Sequence, residues 1–133
     1  DEADASLWRA VEAGLGDPAA ALARGAAEYR QRGERARAAA VLAEACGRFP
    51  ANAGLWRRAG PLAGEQGDYS RARADLERAT AIDPTDALAW QNLAQAQLAL
   101  GDRAAARRSL KQAARLRPAD AEIRRQLQTL DER

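Results

Sequence analysis

Residues 86–118 read DALAWQNLAQAQLALGDRAAARRSLKQAARLRP. Asp86 can cap a helix by accepting a hydrogen bond from an orphan backbone N–H. About 13 helical residues follow before Gly101, which can take the left-handed conformation that ends a helix. The second half carries Ala106, Leu110 and Ala113, whose spacing puts all three on one helical face. Pro118 then stops that helix, because it lacks an N–H and disfavours helical geometry in the residue before it. The stretch is predicted to be one helical hairpin. Its small Ala positions let the two helices approach closely, and Leu and Trp fill the gap.

The same pattern recurs twice toward the N-terminus with a period of 34 residues. Pro50, Pro84 and Pro118 are in phase, as are Gly33, Gly67 and Gly101, each followed by Glu34, Asp68 or Asp102. Ala38, Ala72 and Ala106 match, as do Leu42, Leu76 and Leu110, and then Ala45, Ala79 and Ala113. Trp56 and Trp90 share a phase with Leu22, and Asn52, Asp86 and Asp120 each fall two places after a Pro. A hairpin of this size cannot bury its apolar face alone, so the units must stack on their neighbours. The fold class expected is an all-α right-handed solenoid of about eight helices.

These residues resemble the tetratricopeptide repeat, whose pattern is W-x2-L-G-x2-Y, then A-x3-F, then P over one repeat. The third unit matches with Trp90, Leu93, Ala106, Leu110, Ala113 and Pro118. The second matches with Trp56, Gly60, Ala72, Leu76, Ala79 and Pro84. The first matches with Tyr29, Ala38, Leu42, Ala45 and Pro50, but has Gly25 where the family prefers Leu. The expected organisation is a half-repeat helix at 1–16, units at 17–52, 53–86 and 87–119, and a capping helix at 120–133. At the start, Ala3, Leu7 and Ala10 repeat the second-helix signature with one residue of slippage, which reads as a half-repeat or a cut edge. At the end, Arg124 stands where Trp would sit, as suits a solvent-facing terminal helix.

Composition argues against catalysis. The chain has 36 Ala and 20 Arg but a single Lys, and aromatics make up only 5%. It has no His, which removes the commonest general base and metal ligand. One Cys, Cys46, excludes an internal disulfide and a multi-thiolate metal site, and is expected to be a small buried hydrophobe. Ser6, Ser70 and Ser109 have no His to activate them. No cofactor, metal or enzymatic activity is therefore expected. Net charge is +2 with both signs mixed, so no nucleic-acid partner is expected either, and no apolar run is long enough for a membrane span. A soluble chain, cytoplasmic or periplasmic, is the expectation.

The resemblance implies a partner-binding groove lined by the first helices of the units. Its expected residues are Arg24, Arg57, Arg58, Gln91, Asn92, Gln95 and Arg125, flanked by Ala27, Gln31 and Pro61. Asn and Gln both donate and accept, which suits a peptide backbone, and Arg grips a carboxylate with two parallel bonds. Chaperone-binding members of the family hold a C-terminal carboxylate with Lys, Asn, Asn, Lys and Arg. Here Ala23, Ala27, Arg58, Leu88 and Asn92 stand in those places, so that clamp is not expected. The expected function is a protein-interaction scaffold that binds a peptide or helix of a partner within a larger assembly.

Four further features stand out. Arg103, Arg107, Lys111 and Arg115 recur every four residues and form a basic stripe, read as a solvated face or a secondary contact for an acidic partner. Asp1, Glu2 and Asp4 offer a complementary acidic end for head-to-tail self-association. Pro61, with Gly60 and Gly64 around it, predicts a kink at the centre of the groove. The Ala and Arg excess fits a GC-rich genome, and suggests an alternative role: an architectural spacer from a longer array in a bacterial envelope machine that exports polysaccharide or protein.

Overall fold

Three glycines set the hairpins. Gly33, Gly67 and Gly101 adopt φ of 81°, 82° and 83°, a region where a side chain would be strained. At each, the glycine N–H and the next N–H turn back onto the preceding helix. The bonds are Gly33 to Arg30 and Glu34 to Tyr29, Gly67 to Gly64 and Asp68 to Ala63, and Gly101 to Leu98 and Asp102 to Gln97, all 2.9–3.0 Å. The computed structural model describes the backbone of residues 2–14 and 16–132, with the side chains of Glu2, Ala3, Asp4, Ser6 and Ala10 left out. The acidic end expected at Asp1, Glu2 and Asp4, and the packing expected of Ala3 and Ala10, rest on side chains outside the described ones.

Eight helices run through the described residues: α1 (Glu2–Glu12), α2 (Pro18–Gln31), α3 (Arg35–Arg48), α4 (Ala53–Glu65), α5 (Tyr69–Ile82), α6 (Ala87–Ala99), α7 (Arg103–Leu116) and α8 (Ala121–Asp131). Each packs on the next in chain order. In addition α4 packs against both α2 and α6, so the first helices of the hairpins approach each other more closely than the second helices do. The stack therefore curves around α2, α4 and α6, and these line its inner face. The chain is an all-α solenoid. No helix among the described residues is long and apolar enough to cross a membrane.

Side chains start nearly every helix in the way the Asx positions predict. Asp17, Asn52, Asp86 and Asp120 accept from backbone N–H groups two or three residues on, at 3.0–3.3 Å. The acid after each turn glycine has a role the sequence reading left unassigned. Asp68 and Asp102 cap α5 and α7 through Arg71 N–H and Ala105 N–H, both at 3.1 Å. Glu34 is one methylene longer and makes no cap bond; its carboxylate takes Arg37 Nη1 at 3.0 Å instead.

The core is built mostly from alanine. Ala38, Ala72, Ala106, Ala45, Ala79 and Ala113 are all buried, and Leu42, Leu76 and Leu110 fill the space between them. Two glycines permit closer contact still. A Cβ on Gly60 would meet Leu76 Cγ at 2.5 Å, and one on Gly25 would meet Leu7 Cδ2 at 2.7 Å. The second contact explains why the first unit departs from Leu at position 25: a side chain there would collide with α1. The helix assignment of α4 continues unbroken through Pro61. Trp56 and Trp90 are half-buried, and each indole N–H donates to the carbonyl of Pro50 or Pro84 at 2.9 Å. They tie the loop between units as well as packing. Arg124, at the same phase in α8, is exposed.

Candidate peptide-binding groove

Three depressions run along the inner face. The central cleft, about 410 Å³, lies between α2, α4 and the start of α6. A second of about 410 Å³ lies toward the N-terminal ends of α2 and α4, and a third of about 270 Å³ lies between α4, α5 and α6. Arg58 lines both the central cleft and the second. Pro61 and Asn92 line both the central cleft and the third. The three therefore join into one groove, with Arg58, Pro61 and Asn92 at its junctions.

The central cleft combines apolar side chains with Arg30, Arg57 and Arg58, and the second depression sets Arg24 and Arg58 near Asp17. Ala23, Ala26, Ala27, Leu62 and the exposed Leu88 line the central cleft, with Arg30 and Gln31 at its edge. Arg24 lines the second depression. Arg58 Nη1 donates to Gly54 O at 3.2 Å, and has no carboxylate partner among the described residues. Its partial burial, reinforced by Arg57 beside it and opposed by Asp86, lowers its pKa below the ordinary guanidinium value, and it stays charged and exposed. An incoming carboxylate would satisfy that charge. Glu65, near the third depression, is already taken by Arg30 and by Arg35 Nε at 3.3 Å.

The structure brings Arg24, Arg57, Arg58, Asn92 and Gln95 to this groove and gives Gln91 and Arg125 other work. Gln91 Nε2 donates to Gln126 Oε1 at 3.1 Å, joining α6 to α8. Arg125 pairs with Glu122 one turn earlier and lines none of the three depressions. Arg57 lines the central cleft, but its Nε lies 2.9 Å from Asp86 Oδ2, in a close ion pair without hydrogen-bond alignment. Asp86 thus caps α6 with one oxygen and holds α4 with the other. Arg30 was missed by the sequence reading, because its position on α2 shows only in the superhelix.

The basic stripe on α7 is not open along its length. Arg103 Nη2 donates to Leu130 O at 3.0 Å, and Arg107 Nε lies 2.9 Å from Asp131 Oδ1. Both cations sit at the C-terminal end of α8, where unpaired carbonyls favour positive charge. Lys111 and Arg115 remain exposed. Cys46 is buried, and that burial pushes its thiol up to about 12, so it stays protonated and unreactive at neutral pH.

With this geometry in place, the tetratricopeptide repeat family model matches residues 65–129. Over these residues the chain is similar to the tetratricopeptide repeat family. Solved tetratricopeptide domains share its architecture closely. The first such domain of Spaghetti (RPAP3), bound to the HSP90 peptide SRMEEVD, superposes with a TM-score of 0.82 at 18% identity, covering 86% of this chain and 90% of that one. The Sgt2 domain from Aspergillus fumigatus gives 0.79 at 22% identity, covering 86% and 77%. The OM64 domain from Arabidopsis gives 0.80 at 18% identity, covering 86% and 94%. Comparison with curated protein sequences gives no match.

Proposed function

We propose that this chain is a protein-interaction module that holds an extended segment of a partner protein along α2, α4 and α6. One observation carries the reading: three depressions on the inner face join into a continuous groove through Arg58, Pro61 and Asn92. The family likeness supports it, since one solved neighbour is bound to a peptide.

The chemistry of the groove narrows the ligand. Ala23, Ala27, Arg58, Leu88 and Asn92, the five positions of the family's carboxylate clamp, all line the central cleft. Three of them are apolar here. An apolar side chain of the partner fits against Ala23, Ala27 and Leu88, while an acidic side chain one or two residues away pairs with Arg58. Asn92 donates to and accepts from the peptide backbone. The preferred ligand is thus an acidic-apolar segment, and a free C-terminal carboxylate is not required.

Selection from a displayed library of random peptides, followed by titration of the winners, tests this. The expected winners pair an apolar with an acidic residue and bind an Arg58→Ala, Asn92→Ala double variant at least tenfold more weakly, or about 1.4 kcal/mol. Circular dichroism should show both proteins equally folded. Winners that bind the double variant as well as wild type would overturn the groove as receptor and leave the spacer reading.

A further inference from the structure

A second cavity, of about 280 Å³, opens on the opposite side of the solenoid between α3, α4 and α5. It shares no lining residue with the groove. Its walls are alanine methyls from α3 and α4, among them Ala39, Ala43 and Ala63. Among them stands the carboxylate of Asp75, whose side chain is 8% exposed.

The repeat shows that this carboxylate is out of keeping with the fold. Val41 and Ser109 hold the same phase one unit away on either side, and both are buried. Ser109 Oγ donates to Gln97 Oε1 at 2.7 Å, so the polar group of the third unit is satisfied from the facing helix. The counterpart of Gln97 in the middle unit is Ala63, which offers no donor. Among the described residues, Asp75 accepts no hydrogen bond. Arg71 Nε reaches only to 3.9 Å, from a side chain that is 54% exposed. Asp68, also lining the cavity, is engaged in capping α5. A buried carboxylate without donors is costly, and burial pushes Asp75 up to about 6 even with Arg71 nearby. At neutral pH it is ionised, with Arg71 at 3.9 Å and the solvent at the cavity mouth as its surroundings and no hydrogen bond from the protein.

We propose that this cavity receives a lysine side chain of a partner protein, with its aliphatic stem along the alanine methyls and its ammonium on the Asp75 carboxylate. Charge and shape both favour lysine. The ammonium is a compact point charge on a straight four-carbon stem, matched to a cavity walled by alanine methyls in which Asp75, Asp68 and Gln66 supply oxygen acceptors. A guanidinium is broader, and Arg71, which itself lines the cavity, stays 3.9 Å from the carboxylate. The site is independent of the groove, so the partner is held on two faces or by two different chains.

The probe is Nα-acetyl-lysine N-methylamide, which carries the side-chain ammonium and no other charge. It is titrated at about pH 8, above the range in which Asp75 protonates, with the alanine methyl signals of Ala39, Ala43 and Ala63 as readout. The expected result is saturable shifts with a dissociation constant of about millimolar, since one charge and one short stem are engaged. Asp75→Asn should weaken binding at least tenfold. Arg71→Ala should tighten it severalfold by removing the competing cation, and this exposed substitution keeps the test decisive if the buried one disturbs folding. The ε-acetylated probe should not bind. Absence of shifts, equal affinity in Asp75→Asn, or tighter binding of the arginine counterpart would each overturn the proposal.

Discussion

The middle unit and the third unit are built on one template and differ in how completely they are stitched. In α6 and α7, Ala94 supplies a methyl at the helix contact, and Gln97 bonds Ser109 across the pair. In α4 and α5 the corresponding residues are Gly60, Ala63 and Asp75, with Pro61 in place of Gln95. The third unit satisfies itself. The middle unit brings two helices closer through a missing side chain, leaves a carboxylate without donors, and borders both the groove and the opposite cavity. These departures without internal compensation are what the two proposed binding surfaces have in common.

Substitutions separate the two units by size of effect. The largest is expected at the leucine plugs. Leu76→Ala and Leu110→Ala should each cost about 2–5 kcal/mol in urea denaturation. Adding Gly60→Ala to Leu76→Ala should recover part of the loss, since the obstructing side chain is gone; adding a further substitution at Ala94 to Leu110→Ala has no such basis. On its own, Gly60→Ala should cost about 1–3 kcal/mol despite the better helix propensity of alanine, because its Cβ meets Leu76 at 2.5 Å. A neutral or stabilising result would show that the close approach of α4 and α5 is not strained by a side chain.

Asp75 gives a pH signature that the third unit lacks. Its pKa is raised from 3.8 to about 6 in the folded state, chiefly by burial. The folded protein therefore holds a proton that the unfolded chain has lost between those values. The stabilisation is full below about pH 4 and is lost as pH rises through about 6. The stability difference between wild type and Asp75→Asn should fall by on the order of 2 kcal/mol from pH 4 to pH 7. Ser109→Ala should show no such slope, and a flat difference for Asp75→Asn would mean that the carboxylate has found donors. The smallest contrast lies in the caps: Asp68→Ala and Asp102→Ala should each cost about 1 kcal/mol, and Glu34→Ala close to nothing, because only the first two accept a cap bond.

Much of the architecture was legible because it is encoded locally. Turn glycines, Asx caps and the Ala-Leu-Ala face each act within a few residues, so their recurrence every 34 residues carries the hairpins and the solenoid. What was not legible depends on contacts between distant positions. Arg103 and Arg107 look like part of a free stripe until α8 places Leu130 and Asp131 over them. Gln91 looks like a groove residue until Gln126 meets it, and Arg57, which does line the groove, looks like a free cation until Asp86 pairs with it. Asp75 was passed over because its charge says surface, while its phase with Val41 and Ser109 says core. That phase was the one available signal. The sequence also showed Gly25 as a lapse from consensus, where the structure shows a close approach to Leu7.

The central claim is that the inner face around α4 is where a partner binds. The direct measurement is NMR mapping of a selected acidic-apolar peptide on the labelled chain. Perturbations concentrated at Ala23, Ala27, Arg58, Leu62, Leu88 and Asn92, and lost in the Arg58→Ala, Asn92→Ala variant, are the predicted result. Perturbations confined to α3, α5 and α7, with the inner face unmoved, would contradict it.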